Sequence, residues 1–84
     1  MEELVDRLYA TKVKIGNIKK KTVRADLVKM HNNVLAVINE IDRESVECRR
    51  LHKTTARYEK LILNATELLE HLEKYLVFAC LMSG

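Results

Sequence analysis

Cys48 and His52 stand four residues apart, and on an α-helix that spacing turns both side chains to one face. A thiolate and an imidazole so placed make a legitimate pair of zinc ligands, but a tetrahedral ion needs one or two more. The other donors of that kind, His31, His71 and Cys80, show no pairing at ligand spacing. The sequence therefore predicts no metal site and reads Cys48 as a small seam residue with His52 at its edge. Glu40 and Glu44 also share a face, as carboxylates do in helical metal sites, yet no Glu-x-x-His accompanies them. Glu67-Leu-Leu-Glu70-His71 sets an acid beside a histidine, although adjacent residues on a helix point apart. No glycine-rich loop cradles phosphate, and no nucleophile, base and orienting group converge. The chain reads as non-enzymatic, with no catalytic residue and no cofactor.

Anion binding is the sharper chemistry. Lys19, Lys20, Lys21 and Arg24 form one basic cluster, and Arg49, Arg50, Lys53 and Arg57 form a second. Such clusters neutralise phosphates and give salt-dependent, sequence-blind affinity for nucleic acid. Aromatic residues for base stacking are few: Tyr9, Tyr58, Tyr75 and Phe78, the last three on apolar faces. No recognition-helix or zinc-finger layout is present. A small basic nucleic-acid-binding regulator is thus the second reading. An anionic membrane ranks below it, because no isolated amphipathic helix with a basic polar face stands apart from the rest.

The elements that carry these residues are set by apolar spacing. From Leu27 to Ala79, steps of three and four residues pick out Leu27, Met30, Val34, Val37, Ile41, Glu44, Cys48, Leu51, Thr55, Tyr58, Ile62, Ala65, Leu69, Leu72, Leu76 and Ala79. Only Glu44 and Thr55 in that row are frankly polar. Such a rhythm lines one seam of a helix, as coiled coils and helical bundles require. Strict alternation is absent, and no proline interrupts. Leu4, Leu8, Thr11, Ile15, Ile18, Thr22 and Ala25 make an earlier row one residue out of phase, with the turn-forming pair Gly16-Asn17 inside it. A turn or a kink is expected there.

A second turn is placed near residue 43. Asp42 and Ser45 are competent helix N-caps, and the seam is weakest at Glu44. Residue 43 also bisects the chain. Folding there would lay the basic block from Lys12 to Lys29 against Glu67, Glu70 and Glu73, and such pairs set orientation. The expected fold is all-α: a helical hairpin or three-helix bundle with long coiled-coil-like helices, about 2–15, 18–42 and 46–80, in one interaction domain over 1–84.

Eighty-four residues bury a modest core, and oligomerisation is the usual remedy when metals and disulfide frameworks are missing. Leu61, Leu68, Tyr75 and Met82 widen the stripe of the last helix, and from Leu76 onward that helix is apolar on every side. Ile62, Ala65, Leu69, Leu72, Leu76, Phe78 and Leu81 are accordingly the expected oligomer or partner interface. The net charge of +3, from 15 Lys/Arg against 12 Asp/Glu, suits any partner class. Glu2 and Glu3 follow Met1 in place of a basic start, and the longest apolar run, Tyr75 to Met82, is far short of the roughly twenty residues a membrane span needs. The predicted function is a protein–protein interaction module, a scaffold, adaptor or small regulator. It would work in the cytoplasm or nucleus, pairing with itself or with another helical protein.

Overall fold

A computed structural model describes residues 2–82, which form three α-helices and, among the described residues, no strand. Helix α1 spans Glu2–Gly16, α2 Lys21–Leu51 and α3 Ala56–Met82. Glu2 and Glu3 in the first turn of α1 and Lys14 in its last complement the helix dipole. The chain is all-α and forms a helical bundle, 49 Å long and 18 × 15 Å across.

The apolar rows become its core. Fifteen of the sixteen seam positions turn inward, Leu51 being the exception. Leu27, Val34, Ile41, Ala65, Leu69 and Leu72 are almost wholly shut off from solvent. Leu4, Leu8, Thr11, Ile15 and Ile18 complete the core from the α1 side, and the Thr11 hydroxyl is satisfied by donating to the Leu8 carbonyl at 2.6 Å. Thr22 and Ala25, assigned to the same row, are exposed. The row cannot cross the break between α1 and α2, because α2 restarts in its own phase.

The first turn falls where Gly16-Asn17 marks it. Helix α1 tightens as it ends, with Asn17 N–H on the Lys14 carbonyl at 3.1 Å and Ile18 N–H on that of Ile15 at 3.0 Å. Lys20 is extended, and the Arg24 guanidinium donates to the Ile18 carbonyl at 3.1 Å, tying the loop to α2.

The second turn is not at residue 43. Helix α2 runs through Asp42–Ser45 without interruption and ends at Leu51. Ser45 does not cap; its hydroxyl donates back to the Asp42 carbonyl at 2.6 Å, a bond that a helix interior accommodates. Glu44 does not weaken the seam either, since its carboxylate accepts the Thr55 hydroxyl at 2.6 Å. The two polar members of the seam thus satisfy each other across the turn. Bisecting the whole chain misplaced the turn because α1 is not part of the hairpin. The midpoint of residues 21–82 falls between 51 and 52, beside the turn that forms.

That turn has identifiable chemistry. His52 N–H bonds the Arg49 carbonyl at 3.3 Å and Lys53 N–H that of Cys48 at 3.1 Å, the paired closure of a Schellman motif. The motif needs a left-handed residue just past the helix, and His52 supplies it with φ 57° and ψ 35°. Glycine is the residue that adopts this conformation without strain. His52→Gly is therefore expected to stabilise the fold by about 1 kcal/mol, raising Tm by roughly 4–8 °C. Thermal melts followed by circular dichroism check this, and an unchanged or lower Tm would count against the strain. Thr55 then starts α3: its hydroxyl oxygen accepts the Tyr58 N–H at 3.1 Å, as an N-cap should.

Helix α1 covers only part of the hairpin. Fifteen residues span about 22 Å, against about 46 Å for the 31 of α2. Arg7 fixes the overlap by gripping Glu73 of α3 with two parallel bonds, at 2.6 and 3.2 Å. Both side chains stay about one-third exposed, so the pair contributes at most about 1 kcal/mol. At one end the molecule is a three-helix bundle. Towards the 52–55 turn it is a two-helix stem.

Candidate functional site

The seven residues expected at an interface separate into two groups. Ala65, Leu69, Leu72 and Leu76 are buried in the chain's own core and offer no surface to a second molecule in this fold. The stripe that looked wide enough for a partner is wide because two other helices of the same chain lie on it. Ile62 is half-buried on the stem, whereas Phe78 is 66% and Leu81 77% exposed. Of the outer row, Leu61 and Leu68 pack against the core, while Tyr75 and Met82 face outward with Val77.

The last turns of α3 border two hollows. One is lined by Lys20, Val23, Tyr75, Phe78, Ala79 and Met82. The other, between α1 and α3, includes Ala10, Lys14, Leu76, Val77, Cys80 and Leu81. Lys20 therefore lies beside Phe78 and Met82, not opposite residue 67. The expected register of basic block against acidic block does not form, because the hairpin turns near residue 53. Glu73 instead meets Arg7, whose pKa is raised chiefly by that hydrogen bond.

The eight basic candidates also divide. Arg24 holds the loop, as described above. Arg50 pairs with Glu47 one turn away; their hydrogen bond raises the guanidinium pKa and lowers that of the carboxylate. A lowered carboxylate favours the folded state at neutral pH, and that preference fades as pH falls through the carboxylate range. Arg57 reaches back across the turn to Glu40 at 2.8 Å and Glu44 at 3.6 Å. Lys19, Lys20, Lys21, Arg49 and Lys53 are exposed, and none of them enters an ion pair among the described residues. The two clusters sit at opposite ends of α2, about 45 Å apart by helix rise, so they do not form one basic surface.

Three of the chemical candidates, Cys48, Glu40 and Glu44, are engaged structurally. Cys48 Sγ receives the Thr55 N–H at 3.5 Å and lies 3.6 Å from the Thr55 hydroxyl. His52 is exposed at the turn, and Glu40 and Glu44 are held by Arg57 and Thr55. No three His, Cys, Asp or Glu side chains gather to hold a metal among the described residues. Both cysteines are free thiols. Thr55, read from the sequence only as a polar seam position, opens α3 and holds Glu44, a role that sequence reasoning missed. Its signal was the Thr54-Thr55 pair ahead of Ala56, with Glu59 in the next turn, a helix-start pattern displaced from Asp42 and Ser45.

Among the described residues, no helix is long and apolar enough to cross a membrane. No family model matches this chain, and comparison with curated proteins and with solved structures returns no significant match.

Proposed function

We propose that this chain is a non-enzymatic protein–protein interaction module, whose two-helix stem accepts a further helix from a second copy or from another helical protein. The observation that supports the reading is the length mismatch between α1 and the hairpin. Glu73 marks the face of α3 that α1 covers. Thr66 and Glu59, one and two heptads earlier, lie on that face beyond the reach of α1, with Ile62 between them. A two-helix stem encloses a thin core, and Tyr58, Leu61 and Ile62 stay only partly buried there. A helix laid in line with α1 would extend the three-helix cross-section to the turn. The free thiols suit a reducing compartment, the cytoplasm or nucleus.

Light scattering behind a sizing column tests the reading. A dimer or larger species, stable in salt and returned towards 9.8 kDa by Ile62→Lys or by the more exposed Leu63→Lys, is the expected result. A poorly folded, aggregating monomer would point to a partner helix from another protein. A monodisperse monomer with a sharp thermal transition would overturn the proposal, because the stem would then need no cover.

A further inference from the structure

The end of the molecule away from the stem brings together two features that are distant in sequence. Residues 12–24 carry Lys12, Lys14, Lys19, Lys20, Lys21 and Arg24, and neither that stretch nor residues 75–82 contain any Asp or Glu. Six positive charges at this end, in a chain of net +3, leave the remainder at −3. Positive charge is thus concentrated at this end, and the acidic excess lies further along the bundle, on residues 2–6 and 67–73. At the same end α3 exposes Val77, Phe78, Leu81 and Met82, each more than 60% accessible. Lysine stands on both flanks of that apolar tip: Lys20 shares a hollow with Phe78 and Met82, and Lys14 shares one with Leu81.

We propose that this tip docks on an anionic phospholipid bilayer surface, with Phe78, Leu81 and Met82 entering the headgroup–acyl boundary and the flanking lysines meeting lipid phosphates and carboxylates. The proposal goes beyond the stem-based reading and does not depend on it. Charge complementarity selects the occupant. A second copy meeting tip to tip would bring two ends of six positive charges together and be repelled. A nucleic-acid backbone would satisfy the lysines but leave the apolar side chains unused. An anionic bilayer uses both features, the pairing of basic residues with a partly inserted apolar face on which peripheral attachment rests. No described helix is long and apolar enough to cross, so the bilayer is touched and not spanned.

Cosedimentation of the full chain with vesicles tests this. Vesicles of equal parts phosphatidylcholine and phosphatidylserine should carry the protein down at low salt, and phosphatidylcholine alone should not. Lys19/Lys20/Lys21→Gln should weaken binding about a hundredfold, at roughly fivefold per lysine, while Lys19/Lys20/Lys21→Arg keeps it. Phe78→Ser/Leu81→Ser should weaken it about tenfold or more. All these side chains are exposed, so circular dichroism should be unchanged. Three results would overturn the proposal. The first is no sedimentation with phosphatidylserine vesicles. The second is a Phe78→Ser/Leu81→Ser protein that binds them as the parent does, which would mean a purely electrostatic site that duplex DNA should fill equally well. The third is a fall in solution mass on Phe78→Ser/Leu81→Ser, which would make the tip a self-association surface. Failure of the stem reading would appear instead in Ile62→Lys and Leu63→Lys.

Discussion

Leu72→Asp is expected to unfold the chain. Leu72 is fully buried where α1, α2 and α3 all overlap, and a carboxylate there would have no partner to offset its desolvation. A domain of this size holds about 4–13 kcal/mol of stability, by the usual 0.05–0.15 kcal/mol per residue. An unpaired buried charge belongs to the small class of substitutions costing more than about 4 kcal/mol. Leu72→Ala removes only methyl groups and leaves a cavity, costing about 2–5 kcal/mol. Far-UV circular dichroism during a thermal melt should show low helicity and no transition for Leu72→Asp, and a lowered but cooperative transition for Leu72→Ala. Leu81→Asp, on an exposed neighbour in the same helix, should melt within about 0.5 kcal/mol of the parent. A Leu72→Asp protein with full helicity would refute the packing described here.

Thr55→Val carries the next largest effect, because one hydroxyl serves both sides of the hairpin. It donates to Glu44 on α2 at 2.6 Å and accepts the Tyr58 N–H that opens α3. Losing an N-cap costs about 1 kcal/mol. Leaving the half-buried Glu44 carboxylate short of a donor costs about 1–2 kcal/mol more, at the lower end because Arg57 stays near it. The combined loss of about 2–3 kcal/mol corresponds to a Tm lower by roughly 10–20 °C. Thr55→Ser retains the hydroxyl and should recover most of that loss. A double-mutant cycle with Glu44→Met, which removes the acceptor at similar size, separates the contributions, since only the bond to Glu44 should be non-additive. A Thr55→Val protein within about 0.5 kcal/mol of the parent would show that the turn is held by packing alone.

Both experiments bear on how far the sequence could be read unaided. The helical class and the inward face were legible in the spacing of apolar residues. A 3-4 rhythm is a local property: 3.6 residues per turn stacks those side chains on one face whatever the helix later meets. Leu27, Val34 and Ile41 could thus be assigned to an inner face from the sequence, whereas Leu69, Leu72 and Leu76, equally legible as apolar, were assigned to an interface and lie in the chain's own core. At Gly16-Asn17 the sequence left a turn or a kink open, on the turn propensity of that pair, and the chain turns there.

The position of the second turn, and with it the use of each surface, was decided only by tertiary structure. Glu44 looks like a defect until Thr55 is brought to it from eleven residues away, and a left-handed His52 is not a residue that announces a turn. Whether an apolar stripe faces a second molecule or the same one depends on which helices fold back onto it. Here the chain's own helices bury Ala65, Leu69, Leu72 and Leu76, while Phe78 and Leu81 remain outside. The lysines expected opposite glutamates stand beside that uncovered tip, because moving the turn from residue 43 to 52–55 shifts every cross-hairpin pairing. Periodicity along one helix is encoded in adjacent turns, whereas register between helices comes from contacts that close only when the whole bundle forms.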